Sequence, residues 1–230
     1  MRRDGRHGAV KVQRPGVREP LGEDLDALEE IARWADEHSA IGRRYQLGPM
    51  LEEFRKSLTR ELDYRQEAQN LVTLSTNLAE FPGIVVPLPI DVYTTSRVLT
   101  MEFVRGVKIT KLSPIARLEL DGKELAGQLF KAYLKQILID GFFHADPHPG
   151  NVFLTEDHRV ALIDLGMVAH IAPRLQEHLS QLMLAVSEGR RDDAVTYSLR
   201  IDAKTEEFEP AAYHRAVTAL VPLHPRGPLK

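Results

Sequence analysis

The spacing of apolar residues changes period several times along this chain, and the changes divide it into elements. Residues 8–12, GAVKV, alternate as a short strand with Lys11 on the face opposite Val10 and Val12, and Gln13-Arg14-Pro15-Gly16 breaks that strand. Over 21–44, Leu25, Leu28, Ile31, Ala32 and Ala35 recur every three to four positions, which predicts a charged helix packed on one side. Glu29 and Arg33 are spaced for an i,i+4 ion pair, and Trp34 reads as a packing residue. After a break at Gly48-Pro49, one long helix is predicted over 50–78, with Leu51, Phe54, Leu58 and Leu62 on a stripe. Asp63, Glu67 and Leu71 share a face of it, whereas Glu61 points elsewhere. Phe81-Pro82-Gly83 ends that helix. Residues 84–93 and 97–103 read as two strands joined at Thr94-Thr95-Ser96, and Val104-Arg105-Gly106 reads as a hinge. Helical spacing returns over 122–140, ending at Gly141, then over 173–188, 192–200 and 210–220. The final HPRGPLK reads as a frayed tail.

Between the helices at 122–140 and 173–188 the pattern shortens to a hairpin. Val152 to Leu154 and Val160 to Ile163 are apolar strand runs, joined by a polar turn over 155–159. Around it stand Asp146, Asn151 and Asp164, spaced five and thirteen positions apart in HADPHPGN and IDLG. Transfer of a γ-phosphoryl group needs a carboxylate to orient or deprotonate the acceptor, and oxygen ligands that hold Mg²⁺ on the phosphates. A kinase catalytic loop supplies its Asp and, five positions later, a metal-binding Asn; a second Asp follows in a DFG-type turn after a hairpin. Asp146, Asn151 and Asp164 match those roles in order, and the two metal ligands would stand at opposite ends of one hairpin. Pro147, Pro149 and Gly150 restrict the loop. His144 and His148 are as consistent with a weak metal pair as with ordinary loop residues.

Composition narrows the rest. The 230 residues suffice for one large domain or two lobes. With 33 acidic and 30 basic side chains the net charge is −3, so no global field favours nucleic acid or an anionic bilayer. The absence of cysteine excludes disulfides, thiolate metal sites and cysteine nucleophiles, and fits a reducing compartment. The basic first residues lack the apolar core of a secretory signal, and no run of 18 apolar residues occurs. The expectation is a cytoplasmic chain or one peripheral to a membrane.

Five segments, KVQRPGV, ELDYRQEAQN, TMEFVRG, FHADPHPGN and ALIDLGM, together give the chain a resemblance to the UbiB/AarF family of atypical protein-kinase-like proteins over roughly residues 8–190. The resemblance implies an α+β, two-lobed kinase-like fold: an incomplete small lobe over 1–104, with a helical insertion at about 21–47, and a mainly helical large lobe over 105–230. It implies ATP and Mg²⁺ as cofactors, ATPase or phosphotransferase activity, and a link to ubiquinone or lipid metabolism. Implied partners are a nucleotide and, further out, lipid or quinone-biosynthesis proteins, with no nucleic acid. By position, Lys11 resembles the lysine that grips the α- and β-phosphates, Glu67 its helix partner, and Glu61 and Asp63 the acidic E-x-D motif. Asp146 matches the catalytic aspartate, Asn151 and Asp164 the metal ligands, and backbone groups from Glu102 to Val104 would meet the adenine edge.

The chain departs from the family at its N-terminal end, in a short C-terminal part with no membrane-spanning tail, and in the DFG-type turn. The K-x-G-Q motif and the alanine-rich loop that precede the lysine strand are not present, so an N-terminal truncation is expected, leaving the lysine strand with an unpaired edge. Leu165 stands where the DFG-type turn has Phe. Two other functions stay open: a catalytically silent kinase-like binding module, motivated by the missing lid, and a small-molecule phosphotransferase of the aminoglycoside or choline kinase type. KVQRPGV and the E-x-D helix argue against the latter.

Overall fold

In the computed structural model of the protein, residues 7–16, 18–113, 121–201 and 209–221 are described. Contacts gather the chain into two compact units, Met1–Leu129 with His144–Val168, and Phe130–Phe143 with Ala169–Lys230.

The first unit opens with β1 (Gly8–Val12), antiparallel to β3 (Val98–Glu102) with Lys11 against Leu99. Alternation leaves Val10 and Val12 more than half exposed, while Leu99 beneath the sheet is fully buried. Three helices follow: α1 (Arg18–His38), α2 (Ala40–Tyr45) and α3 (Leu47–Glu61). The helical stretch expected over 21–44 is interrupted at Ser39, whose hydroxyl accepts from the Gly42 N–H at 2.8 Å and caps α2. Leu25 and Ala32 form the buried stripe of α1. Trp34 lies off that stripe, so it is exposed and stacks on His38 rather than packing in the core. Glu29 pairs with Arg55 of α3, and Arg33 instead donates to the Glu29 backbone carbonyl.

The single helix expected over 50–78 is two. α3 begins at Leu47, with Gly48 and Pro49 inside its first turn, where the missing proline N–H costs nothing. After Glu61 the chain breaks at Leu62-Asp63, and α4 (Tyr64–Asn77) starts afresh. The Asp63 carboxylate accepts from the Arg65 N–H at 3.0 Å, so Asp63 is a helix cap and not a member of the Glu67 face.

The strand expected over 84–93 shrinks to β2 (Ile84–Val85), parallel to β7 (Val160–Leu162). Pro87 and Pro89 have no N–H for a ladder, and Asp91–Tyr93 form a 3₁₀ turn. β4 (Gly106–Lys108) pairs antiparallel with β6 (Val152–Thr155), which pairs with β7, giving the order β2-β7-β6-β4. A Cβ on Gly106 would fall 2.3 Å from the Leu154 carbonyl oxygen, so this glycine serves backbone approach, not hinge freedom. Leu71, Leu74, Leu99, Leu162 and Leu165 are fully buried large side chains of this unit's core.

α5 (Gly122–Lys135) runs into a π-turn, Gln136–Asp140, that ends at Gly141 with φ 61° before β5 (Phe142–His144). After β8 (Val168–His170), the second unit packs α6 (Pro173–Ser187), α7 (Arg191–Ile201) and α8 (Pro210–Leu220) around Ala185, Ala194 and Val221. These helices fall where the apolar spacing placed them. The C-terminal HPRGPLK lies outside the described residues. Among the described residues no helix is long and apolar enough to cross a membrane.

Candidate functional site

All the candidate site residues belong to the first unit. Lys11 projects from β1 toward α4, where its ammonium donates to both oxygens of Glu67, at 3.0 and 2.9 Å, and to Asp164 Oδ1 at 2.9 Å. Glu67 is 2% exposed and Lys11 about a third. Burial opposes the charge on Lys11, but the attraction and hydrogen bonds of Glu67 and Asp164 outweigh it and raise the ammonium above its ordinary pKa. The ring of Tyr64, the first residue of α4, lies with its centroid 5.2 Å from the same ammonium.

Asp164 sits in the left-handed region, φ 62°, which Asp tolerates better than most residues. Asn151 precedes β6 and Asp164 follows β7. Counted along the chain they are at opposite ends of the hairpin, but the antiparallel register, Val152 against Leu162, brings both to its open end. The Asn151 carbonyl accepts from the N–H of Ile163, the residue before Asp164, at 3.1 Å. The Asn151 amide nitrogen donates toward the Asp146 carbonyl at 3.4 Å and its carboxylate at 3.5 Å, which leaves the amide oxygen as the side-chain atom with lone pairs for a cation.

His144 is fully buried, with Nδ1 3.4 Å from both the Met167 carbonyl and the Asp146 N–H. The Nδ1-protonated tautomer donates to the former; the other accepts from the latter. Burial holds its pKa below the usual value, against the pull of the Met167 carbonyl. His148 Nδ1 accepts from the Gly150 N–H at 2.8 Å and so shapes the loop. Among the described residues no group of three His, Asp or Glu side chains forms a metal cage. The oxygen set of Asp164 and Asn151 fits Mg²⁺ all the same, because that ion is usually held by one or two carboxylates together with substrate phosphates.

Glu102 and Val104, with Phe103 and Arg105, line a cavity of about 640 Å³ shared with Val85 and Pro87. The Glu102 carboxylate accepts from the Leu88 N–H at 3.2 Å. The side chain of Glu61, which closes α3, lies outside the described residues. Two contacts at the site are not apparent from spacing alone: the ring of Tyr64, and Asn70, whose amide donates to the Leu165 carbonyl at 2.9 Å. Asn70 does carry a signal, being a polar residue one turn from Glu67 on the apolar side of α4.

The model of the ABC1 atypical kinase-like domain matches residues 1–198. The Arabidopsis thaliana chloroplast protein named Activity of bc1 complex kinase 8 is 36% identical over 188 residues, covering 80% of this chain and 25% of that protein. The Cellvibrio japonicus protein named "Probable protein kinase UbiB" is 31% identical over 220 residues, covering 91% of this chain and 40% of that protein. Both relatives are therefore considerably longer than the chain. The solved structure of Mycobacterium tuberculosis Rv3197 with erythromycin superposes with a TM-score of 0.66 at 26% identity, over 90% of this chain and 51% of that one. The fold is thus α+β and kinase-like. With a lysine, glutamate and aspartate joined in this way inside the matched residues, the chain belongs to the ABC1 family of atypical kinase-like domains, which has UbiB proteins among its members.

Proposed function

We propose that the chain binds ATP with Mg²⁺ and acts as an ATPase or phosphotransferase domain. The observation that carries this reading is the Lys11 ammonium held between Glu67 and Asp164 at 2.9 to 3.0 Å. An ammonium fixed by a buried carboxylate is a preset point charge for the α- and β-phosphates. Asp146 is the carboxylate for the acceptor: it orients the attacking hydroxyl or water and takes its proton. Asn151 and Asp164 would hold Mg²⁺, which neutralises charge on the β- and γ-phosphates when bound. Backbone groups at Glu102 to Val104 would receive the adenine edge. A link to ubiquinone or other lipid metabolism is drawn from the family resemblance and from the names of UbiB relatives.

Titration of the chain with ATP in the presence of Mg²⁺ by calorimetry tests the reading, with Asp164→Asn as the control that removes the metal-side charge and keeps the left-handed turn. Binding by the natural chain, lost in the variant, supports it; equal affinity in both removes the metal assignment. A second reading, a catalytically silent binding module, is favoured by the exposed Val10 and Val12 on β1. It predicts no rise in melting temperature with Mg²⁺ and ATP, whereas any ligand of the native state must produce one.

A further inference from the structure

We infer that Asn70 is a positioning residue for Asp164, tying the turn that carries the metal-side aspartate to the helix that carries Glu67. This rests on the nucleotide reading above and adds to it a residue outside the lysine, glutamate and aspartate set. Glu67 and Asn70 are three apart on α4 and therefore share a face one turn apart. Both are nearly excluded from solvent, at 2% and 3% exposure. Glu67 meets the Asp164 side through Lys11, and the Asn70 amide reaches the same turn from behind, donating to the Leu165 carbonyl at 2.9 Å across 95 residues of chain. The Asn70 side-chain Oδ1 in turn accepts from the Gln66 side-chain amide at 3.4 Å, which orients the Asn70 amide so that its nitrogen faces Leu165.

The turn needs such a hold. Asp164 is in the left-handed region, which is uncommon for a non-glycine residue even though Asp tolerates it better than most, so contacts on either side of the turn help to keep it there. The Leu165 side chain is fully buried, which anchors one side of the peptide that follows Asp164. The Asn70 bond anchors the Leu165 carbonyl. Reversal of the turn would carry the carbonyl away from α4 and leave two polar groups unpaired in an apolar setting. Glu67 and Asp164 therefore keep their spacing even when Lys11 engages a phosphate.

Asn70→Asp keeps the shape of the side chain and removes the donor; Asn70→Ala removes the group. Hydrogen exchange in the full chain without nucleotide reads the effect directly. Protection over residues 160–170 should fall roughly 3- to 10-fold in both variants, the factor that corresponds to one net hydrogen bond, while β3 is unchanged. Calorimetry with ADP then separates positioning from general damage: affinity with Mg²⁺ should fall by a similar factor, and affinity in EDTA should stay within about twofold. Unchanged protection at 160–170, a uniform loss of protection across the unit, or loss of cooperative folding in both variants would each overturn the proposal. If the natural chain binds no nucleotide, the calorimetric arm rejects the function proposed above, and the exchange arm alone decides the role of Asn70.

Discussion

Lys11 Nζ and Asp164 Oδ1 are 2.9 Å apart in the fold and 153 residues apart in the chain. The contact joins β1, the first described strand, to the turn that follows the central hairpin. Both also meet α4, Lys11 through Glu67 and the Asp164 turn through Asn70.

The Lys11 and Glu67 pair predicts an asymmetric response to mutation. Lys11→Met removes the ammonium that meets the buried Glu67 carboxylate and should cost about 1–3 kcal/mol, less than for a wholly buried pair because Lys11 is about a third exposed. Adding Glu67→Leu should recover most of that loss. Urea melts of the two singles and the double check this, and additive losses would contradict it. The raised pKa of Lys11 means its contribution is complete below about 10.5, the unfolded value, and fades as pH rises past that toward the folded value.

Restoring the aromatic residue of a DFG-type turn should harm this protein. Leu165 is fully buried with its carbonyl held by Asn70, so Leu165→Phe must displace its neighbours. A loss of about 1–3 kcal/mol is expected in a thermal or chemical melt. An unchanged or raised midpoint would show that the pocket has room.

His144 predicts a sensitivity to acid. Its folded pKa lies below the ordinary 6.5 because burial opposes the charged ring. As pH falls below that value the unfolded chain takes up the proton first, so stability declines until the folded pKa is passed. Stability of the natural chain minus that of His144→Gln, measured from pH 8 to pH 4, should fall with pH; a flat difference would contradict the assignment.

Gly106→Ala should destabilise the fold although no left-handed angle is involved. The added carbon would lie 2.3 Å from the Leu154 carbonyl oxygen and 2.9 Å from the Thr155 Cα, both backbone atoms that cannot rotate away. A cost of about 1–3 kcal/mol is expected, because β4 must draw back from β6 to make room. Chemical melts of the natural chain and the variant measure it, and equal midpoints would show that the two strands separate freely.

Elements defined by one clear period were legible in the sequence: β1, the central hairpin, and the helices from α5 to α8. The boundary between α3 and α4 was not, because Leu62 and Asp63 continue the helical spacing and the break depends on an aspartate that caps as readily as it decorates a helix face. Nor was the shortness of β2, since the apolar content of 84–93 imitates a strand that Pro87 and Pro89 forbid. At the candidate site, residue type and order along the chain singled out Lys11, Glu67, Asp146, Asn151 and Asp164 as candidates, and the fold brings Lys11, Glu67 and Asp164 into contact and Asp146 beside Asn151. Asn70 and Tyr64 act across distances that spacing along the chain does not encode.

The hairpin also works as a ruler. At its open end the Asn151 carbonyl is bonded to Ile163; at its turn the Glu156 N–H is bonded to the Arg105 carbonyl, beside the strand exit at Glu102 to Val104. Three residue steps of roughly 3.4 Å separate Val152 from Thr155, so β6 itself sets about 10 Å between those two ends. Lengthening both strands by a pair of residues would keep every side chain on its face and still move one end from the other by about 7 Å, making reach, rather than chemistry, the property that strand length sets.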